Sequence, residues 1–343
     1  MPPKKPINIE VKTQQKYSLL IQNIGSLLEQ GRKQAYRAVN SILVRTYWEI
    51  GKSIVEYEQQ GKEKAEYGTA LLDNLSKDLK LKYGKGFSRR NILDMRRFYQ
   101  VYSKWQTVSA ELSWSHYVEI LSIDNPLERS FYEKQCINER WSVRELSRQM
   151  SSALFHRLAL SKDKGGVIKL SRNGQIIKKH EDIIKDPYIL EFLKIPESHK
   201  YTEKDLEQKL IDNLQMFLLE LGKGFAFVAR QKRISLGNNH YYIDLVFYHR
   251  ILRCFVLIDI KLGKAIHQDI GQMNLYLNYF KKEENAPEDN EPIGIVLSAY
   301  KNEVDVEFAL GGIINKLFVS KYKLYFPDKK ELEIRLKRLL EYD

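Results

Sequence analysis

The segment YYIDLVFYHRILRCFVLIDIK, residues 241–261, restricts the fold of this chain more than any other feature. Each half is rich in β-branched and aromatic residues, which favour strands. The connection between the halves, YHRIL, has the length of a hairpin loop. Each half also contains one acidic residue, Asp244 in the first and Asp259 in the second. The segment therefore predicts two paired strands that carry carboxylates among apolar side chains.

The elements around these strands predict an α/β domain at residues 201–343. The predicted elements are a helix at 203–221, strands at 225–236, 241–249 and 253–261, a helix at 266–282, a strand at 292–299, a short element at 303–311, a strand at 317–326 and a helix at 328–341. Strands with helices before and after them imply a mixed sheet flanked by helices.

Residues 11–160 have a different pattern, in which apolar residues recur at intervals of three and four, and this period predicts an all-helical domain. Its predicted helices lie at 14–30, 34–60, 66–82, 88–104, 113–122, 126–139 and 142–157. Ser88 predicts one helix start, and Ser142 with Glu145 has the spacing of a capping box. The predicted fold class is α plus α/β, with a helical N-terminal domain before the α/β core.

Residues 161–200 are rich in Lys, Gly, Ser and Pro and predict a linker. Within it, the Asn-Gly pair of VIKLSRNGQIIKK lies between two short alternating runs and predicts a small hairpin. The later stretch KDPYILEFLKIP predicts a short apolar helix that docks onto the domain after it.

The charge of the chain favours a polyanionic partner. The formal net charge is +12 and the isoelectric point is near 9.3, so nucleic acid is the leading partner class. Solvated lysine surfaces are the alternative explanation of this excess. We find no run of about 18 apolar residues and no apolar segment after the basic N-terminus, and we therefore expect a cytoplasmic protein with no membrane partner. Cys136 and Cys254 are too few and too far apart for a disulfide framework or a cysteine zinc site.

Asp244, Asp259 and Lys261 form the strongest candidate for a chemical site. Residues i and i+2 of a strand point to the same face, so Asp259 and Lys261 project together. Two crowded carboxylates require a cation, and oxygen ligands suit Mg²⁺ or Mn²⁺. A neighbouring lysine can hold or deprotonate a water that the metal polarises. The alternative is a buried Asp–Lys pair that braces two strands, although such pairs are costly to desolvate.

Two further residues lie near this group in the predicted fold. Glu207, on the helix before the sheet, can reach the strand ends as an extra metal ligand. Gln272 shares a helix face with Tyr276 by the i, i+4 rule, and this face can bind a phosphate or the attacking water. Taken alone, each is more readily explained as an ordinary polar residue of a helix.

The order Glu207, Asp244, Asp259-Ile260-Lys261 and Gln272 resembles the PD-(D/E)xK nuclease superfamily. More narrowly, LELGKGFAFVARQKRI, YYIDLVFYHRILRCFVLIDIKLGK and DIGQMNLYLNYF resemble the YhcG-like group of bacterial nucleases. The N-terminal stretches YWEIGKSIVEYEQQGKEKAEYGTALLDNLSKDLKLKYGKGFSRRNILDMRRFYQVY and FYEKQCINERWSVRELSRQM are similar to the helical domain that accompanies this nuclease. The resemblance covers nearly the whole chain and implies a restriction-endonuclease-like α/β core.

The resemblance also implies roles for individual residues. Asp244, Asp259 and the backbone carbonyl of Ile260 are the implied metal ligands, and Lys261 orients the attacking water. Glu207 and Gln272 support the metal and the phosphate. The implied cofactor is Mg²⁺ or Mn²⁺, and no small-molecule cofactor is expected.

Two positions depart from the family pattern. Asp259 stands where this group often has Glu, and its shorter reach can alter the metal preference. Ile243 stands where the motif can have a proline before Asp244.

The segment GFSRRNILDMRRFYQVY predicts a recognition helix of a winged-helix or helix-turn-helix variant. Its candidate phosphate contacts are Arg89, Arg90, Arg96 and Arg97, while its aromatic residues pack. A basic solvated face on an ordinary helix, or a protein-binding surface, explains the arginines equally well. Arg140, Arg144 and Arg148 form a second predicted basic stripe. Lys264 and His267 follow the predicted site and are further candidate phosphate contacts, although a solvent-facing position explains them as well.

These patterns together favour a metal-dependent DNase with a helical domain that binds DNA or a protein partner. Its cellular process can be repair, recombination or defence. A homodimer is compatible with this activity, because many enzymes that cut both strands act as dimers. The main alternative is a non-catalytic nucleic-acid-binding or complex-assembly protein that keeps the nuclease fold as a scaffold. A structural helical protein fits the charge least well.

Overall fold

The computed structural model describes residues 7–60, 67–105, 108–109, 111–160, 162–196, 201–300, 306 and 309–341. The chain divides into two compact units, Met1–Asp124 and Asn125–Asp343. The first unit is helical, and the second contains further helices and the sheet.

Within its described residues, the first unit contains four helices of very different length. They are α1 (Ile7–Gln60), α2 (Tyr67–Tyr83), α3 (Arg89–Val101) and α4 (Trp114–Leu121). Helix α1 is continuous, so the predicted division into helices at 14–30 and 34–60 is wrong. The single glycine near the predicted break, Gly31, costs a helix only about 1 kcal/mol, and no proline follows it.

Helices α1 and α3 cross closely at Gly51. A Cβ atom at this position would overlap the backbone carbonyl of Met95, so only glycine allows the approach. Helix α3 buries Ile92, Met95 and Phe98. Its predicted start is confirmed, because the Ser88 side chain accepts a hydrogen bond from the Asn91 amide at 3.2 Å.

The second unit begins with four helices: α5 (Pro126–Glu139), α6 (Val143–Ser151), α7 (Leu154–Ala159) and α8 (Lys164–Asn173). The capping box at the start of α6 is confirmed. The amide of Ser142 donates to Glu145 at 2.6 Å, and the Glu145 amide donates back to the Ser142 hydroxyl at 3.3 Å. Compactness groups these helices with the sheet, whereas the sequence pattern placed residues up to 160 with the N-terminal helices. The domain boundaries at 160 and 200 stay predictions.

The hairpin predicted at VIKLSRNGQIIKK is wrong, because its first half belongs to α8. Asp163 caps this helix by accepting from the Gly166 amide at 2.8 Å. Val167 and Leu170 are buried. The Asn-Gly pair ends the helix, since Gly174 has φ 72° and its amide bonds to the Leu170 carbonyl. Glycine beyond a helix end is as common a use of this residue as a tight turn.

The six-stranded sheet has the order β1-β6-β5-β4-β3-β2. Its strands are β1 (Tyr188–Ile189), β2 (Phe225–Leu236), β3 (Asn239–His249), β4 (Cys254–Lys264), β5 (Ile293–Tyr300) and β6 (Lys316–Lys323). The β2–β3 and β3–β4 pairs are antiparallel, and the β4–β5, β5–β6 and β1–β6 pairs are parallel. The predicted mixed sheet is confirmed, and the five predicted strands agree with β2 to β6 within three residues at each end.

Helices cover both faces of this sheet. They are α9 (Glu203–Asp212), α10 (Leu214–Leu221) and α11 (His267–Tyr279), while the last helix, α12 (Lys329–Glu341), packs against α7. Leu206 and Phe217, from α9 and α10, share an apolar core with Ile258 on one face. Met273 of α11 shares the other core with Leu257. The predicted single helix at 203–221 is interrupted at Asn213, where α9 ends and α10 begins.

The predicted linker contributes to the sheet. Tyr188 and Ile189 form the short edge strand β1 beside β6, and residues Glu191–Leu193 form a 3₁₀ turn in place of the predicted apolar helix. The predicted docking is confirmed, since Tyr188 and Leu193 are buried in the core with α9 and α10. The element predicted at 303–311 lies mostly outside the described residues.

A buried ion cluster centred on Glu220 joins α6 and α7 to α10. Arg157 Nη1 lies 2.8 Å from Glu220 Oε1, and Arg148 Nη1 lies 3.4 Å from Glu220 Oε2. Arg148 also binds Glu191 at 3.0 Å, and the Lys185 ammonium donates to the Glu220 carbonyl. Burial raises the pKa of Glu220, but the two arginines and the lysine lower it more, so this carboxylate is charged. The cluster explains why the helices α6 and α7 belong to the unit that contains the sheet.

None of the helices in the described part of the chain combines the length and the apolar composition that a membrane span requires. Cys136 and Cys254 are both buried free thiols.

Candidate active site

The candidate site lies where strands β3 and β4 stop pairing. Their paired register runs from His249 opposite Cys254 to Leu245 opposite Ile258. Asp244 is the next residue on β3. Its Oδ2 accepts a hydrogen bond from the Ile260 amide at 2.8 Å, so the carboxylate takes the place of a strand partner.

The two aspartates lie on the sheet face that α11 covers. Val246 and Leu257 belong to the core with α11, and Asp244 and Asp259 are each two residues further along the same strands. Because side chains of a strand alternate between faces, both carboxylates project toward α11. The sequence prediction that they share one face is supported by this register.

Each carboxylate of the pair has a raised pKa. Burial and the neighbouring charge of Asp244 raise the pKa of Asp259 to about 7. Burial also raises the pKa of Asp244, against the opposing effect of the hydrogen bond from the Ile260 amide. Two carboxylates in a poorly solvated place repel each other when both are charged. The pair therefore needs a positive charge to ionise fully at neutral pH.

Lys261 supplies part of this charge. Its Nζ lies 2.9 Å from Asp259 Oδ2 and 3.9 Å from carboxylate oxygens of Glu203 and Asp269. Burial lowers the pKa of Lys261, but the three carboxylates raise it more, with Asp259 the strongest of them. Lys261 is therefore held as an ammonium group that donates hydrogen bonds.

Glu207 reaches the site from helix α9. This helix begins at the capping box formed by Thr202 and Asp205. Glu207 is only 3% exposed, although its charge would favour solvent. Its Oε2 accepts from Gln231 Nε2 at 2.7 Å, and the same nitrogen donates to Asp244 Oδ1 at 3.0 Å. Gln231 thus links the helix carboxylate to the strand carboxylate.

Gln231 lies on β2 in an unusual backbone conformation. Its φ is 44°, a left-handed value that costs a residue with a side chain roughly 1 kcal/mol or more. The Gln231 amide is one of the features of the candidate site that the sequence did not reveal, because nothing in VARQKRI distinguishes this polar residue from its neighbours. Glu203 and Asp269 were missed for the same reason, since they are acidic residues in the first turn of their helices.

Gln272 lies on α11 and shares a face with Tyr276, as predicted. The Tyr276 hydroxyl donates to the Tyr242 carbonyl at 3.1 Å. Burial first, and then the charges of Asp259 and Asp244, raise the pKa of Tyr276. Gln272 therefore belongs to the helix surface that covers the two aspartates.

Lys264 and His267 follow the site as β4 ends and α11 begins. Both side chains are exposed. Lys264 is opposite Tyr300 of β5, and His267 is the first residue of α11. Their assignment as phosphate contacts stays a prediction.

The four arginines predicted on the recognition helix differ in their surroundings. Arg96 binds both oxygens of Glu58, at 2.8 and 3.0 Å, and so connects α3 to α1. Arg89 lies 2.8 Å from Asp73, and Arg97 lies 2.6 Å from Asp124. Arg90 is exposed. Phosphate contact by this helix stays a prediction, and Arg96 has a clear alternative role in packing.

Arg148 was predicted to belong to a second basic stripe on α6. This prediction is wrong, because the Arg148 side chain is only 9% exposed and is bound to Glu191 and Glu220. A period of four along a helix shows which residues share a face, but it does not show whether that face meets solvent or another element.

The donor set of the candidate site fits a divalent cation that prefers oxygen ligands. Asp244, Asp259 and Glu207 offer carboxylate oxygens, and Oε1 of Glu207 is buried without a hydrogen bond within the described structure. Arg230 Nε lies 3.6 Å from this oxygen. Burying a carboxylate oxygen without a hydrogen-bond donor costs free energy. A cation bound between Glu207 and the aspartates would offset this cost.

Two solved structures resemble part of this fold. A crystal structure of a repair endonuclease from Pyrococcus abyssi has 18% sequence identity and a TM-score of 0.27, over 38% of this chain and 50% of that chain. The structure of an EndoMS–dsDNA complex has 14% identity and a TM-score of 0.27, over 39% of this chain and 51% of that chain.

Two family models divide most of the sequence between them. Residues 23–157 match the DUF1016 N-terminal domain, and residues 181–337 match the YhcG PDDEXK nuclease domain. The second match includes every residue described at the candidate site. The α/β core of this chain is thus of the restriction-endonuclease-like type.

A protein of Escherichia coli (strain K12) described as "Putative nuclease YhcG" is 39% identical over 354 aligned residues, which cover 94% of this chain and 94% of that protein. The similarity therefore extends over both units and is not confined to the nuclease core. With both domain models matched in the same order, the chain belongs to the YhcG family of PDDEXK nucleases.

Proposed function

We propose that this protein is a metal-dependent endonuclease that hydrolyses phosphodiester bonds in DNA. The observation that carries the proposal is the position of Lys261, whose ammonium lies 2.9 Å from Asp259 in a carboxylate pair of which Asp259 is buried and Asp244 half-buried. A structural ion pair would need one carboxylate beside one lysine. The second aspartate and Glu207 add negative charge that such a pair does not require.

Asp244, Asp259 and Glu207 would hold the metal, with the Ile260 carbonyl as a further candidate ligand. Mg²⁺ or Mn²⁺ suits these oxygen donors. A bound ion of this kind lowers the pKa of water and neutralises charge on a phosphate oxygen.

The residues of the chain would then position the reacting groups. Lys261, held as an ammonium by three carboxylates, can donate a hydrogen bond to the attacking water and balance the charge of the phosphate. Gln231 keeps Glu207 and Asp244 together. Gln272, on the helix that covers the aspartates, can donate to a phosphate oxygen. No covalent intermediate is needed, because a positioned water and charge neutralisation are sufficient for this hydrolysis.

The choice of DNA as substrate is supported by charge. The net charge of +12 favours a polyanion, and Lys264 and His267 are exposed next to the catalytic lysine. Arg89, Arg90 and Arg97 on α3 are candidate backbone contacts of the helical unit. These groups would contact phosphates, which position a duplex without reading its sequence.

The proposal is tested by incubating the protein with plasmid, branched and single-stranded DNA, and with RNA, in Mg²⁺, Mn²⁺ or EDTA. We expect cutting of DNA that requires the metal and is lost in Asp259→Asn and Lys261→Met. A matched control is Lys337→Met, which changes an exposed lysine of α12. Absence of cutting on every substrate, with binding retained, would instead favour the nucleic-acid-binding scaffold.

We further propose a cytoplasmic location and a homodimer for cutting both strands. The dimer is tested by measuring the molar mass in solution and by mixing wild-type chains with Asp259→Asn chains. Mixed dimers would nick a plasmid without linearising it. A monomer that linearises plasmid at a rate proportional to its concentration would contradict the dimer.

A further inference from the structure

A second group of metal-ligating side chains lies on the helices of the second unit. Glu128 of α5, His156 of α7 and Glu333 of α12 each offer one ligand atom, and the three atoms lie within 4.8 Å of one another. None of these three helices supplies a residue to the candidate active site described above. The group is therefore a separate feature of the fold.

His156 is the unusual member of this group. It is 1% exposed, and its Nδ1 has no hydrogen-bond partner in the described part of the chain. Glu128 Oε1 lies 3.9 Å from this nitrogen, too far for a hydrogen bond. Leaving a buried nitrogen without a hydrogen bond costs about 1–3 kcal/mol. We therefore expect a bound group to supply the partner that this nitrogen lacks.

Burial determines the protonation of the two buried groups. It lowers the pKa of His156 to about 4, with a smaller contribution from Lys329. Burial raises the pKa of Glu128, against the opposing effect of Lys329. His156 is thus a neutral imidazole, the form that binds a metal through its unprotonated nitrogen.

Lys329 occupies the remaining space beside the carboxylates. Its Nζ lies 2.9 Å from Glu128 Oε1 and 3.7 Å from Glu333 Oε1. The ammonium neutralises Glu128 but makes no hydrogen bond with His156 Nδ1. The Lys329 side chain is 38% exposed, so it can turn into solvent when a stronger cation binds.

We propose that Glu128, His156 and Glu333 bind a zinc-type transition metal ion that fastens α12 to α5 and α7. One imidazole nitrogen and two carboxylate oxygens form a ligand set of the kind Zn²⁺ accepts, with water as the fourth ligand. Ligands of a tetrahedral zinc site lie about 3.3 Å apart, so atoms that lie up to 4.8 Å apart here must approach one another by up to about 1.5 Å. Glu333 is exposed on a surface helix and can make this movement.

The metal would have a structural role that does not depend on the nuclease reaction. It would replace the Lys329 contact by bonds that join three helices from distant parts of the sequence. Mg²⁺ would not substitute, because it rarely accepts imidazole and keeps several waters. The two sites should therefore differ in metal preference.

The experiment uses the full chain carrying Asp244→Asn and Asp259→Asn, which removes the carboxylate pair of the active site. Zn²⁺ binding is measured by calorimetry after treatment with a chelator, and Co²⁺ is used as a spectroscopic probe of four-coordinate geometry. We expect one ion per chain. Glu333→Gln should weaken binding by at least about tenfold, and the exposed Glu331→Gln on the same helix should not.

A second measurement tests the fastening of α12. Hydrogen exchange of residues 329–341 should slow when Zn²⁺ is added, and His156→Gln should abolish this protection. Because Glu333 is exposed, Glu333→Gln reports on binding even if His156→Gln does not fold. Absence of zinc binding, equal binding by Glu333→Gln, or zinc binding without protection of α12 would each overturn the proposal.

Discussion

The ammonium of Lys261 lies 2.9 Å from Oδ2 of Asp259, two residues earlier on the same strand. Strand geometry alone brings these two side chains to one face. The third residue of the candidate site, Asp244, comes from the neighbouring strand, and burial raises its pKa. The site thus combines a local relationship with one that requires the sheet.

Replacing Lys261 should affect the chemical step more than DNA binding. Lys261→Gln removes the ammonium that would face the water and the phosphate in the proposed reaction, and we expect kcat to fall about 10²–10³-fold. Lys264→Gln, three residues later and exposed, should mainly raise KM by weakening a phosphate contact. Steady-state kinetics on a fluorescent duplex separates these effects. An equal loss of kcat in both variants would contradict the assigned roles.

Gln231 should act as a positioning residue. Gln231→Gly removes the amide that joins Glu207 and Asp244 and, at φ 44°, relieves backbone strain. We expect metal affinity to fall about tenfold while the protein is no less stable. Calorimetric titration with Mn²⁺ and chemical unfolding test the two parts. Unchanged metal affinity would show that the amide does not organise the carboxylates.

The metal-free protein should lose stability as pH rises. The folded pKa of Asp259 is about 7, above its ordinary value of 3.8, so the folded state holds a proton that the unfolded state releases. The contribution of Asp259 to the free energy of unfolding should therefore be largest below about pH 4. It should fall by a few kcal/mol as the pH rises to about 7.

Urea unfolding in EDTA across this pH range measures the effect. Asp259→Asn should show a smaller decrease, because its side chain does not titrate. Saturating Mn²⁺ should oppose the decrease in the wild-type protein, since a bound cation stabilises the ionised carboxylates. A free energy of unfolding that rises from pH 4 to pH 7 in the wild type, and not in Asp259→Asn, would contradict the prediction.

Glu220 should be essential for the stability of the second unit. Glu220→Gln leaves Arg148, Arg157 and Lys185 buried with less compensating charge. Breaking a buried ion pair in this way costs about 3–5 kcal/mol. Glu341→Gln, which breaks an exposed pair with Lys337, should cost less than about 1 kcal/mol. Urea unfolding of the two variants gives the comparison.

The arginines of α3 should divide into two groups. Arg96→Ala should destabilise the helical unit, because Arg96 binds both oxygens of Glu58. Arg90→Ala should leave stability unchanged and reduce the slope of log K against log salt by about one. Binding to a duplex at several salt concentrations measures the slope. An unchanged slope in Arg90→Ala would favour a protein partner for this helix.

Much of the fold could be predicted from local patterns. Strands β2 to β6 were predicted within three residues because their apolar runs have the period of a buried sheet. The hairpin expected at 167–179 failed because Asn-Gly is a signal for both a tight turn and a helix end, and only the burial of Val167 and Leu170 distinguishes them. The continuous helix α1 was missed because one glycine is a weak signal for a break.

The sequence by itself determined the residue types of the site, the strand pair that carries them and the family to which the chain belongs. Periodicity and spacing are properties of neighbouring residues, so they can be read without a structure. Only the tertiary structure decided that Gln231 joins Glu207 to Asp244, that Arg96 and Arg148 lie in ion pairs, and that His156 is buried beside Glu128. These contacts join residues far apart in the chain, and their geometry depends on how the helices and the sheet pack.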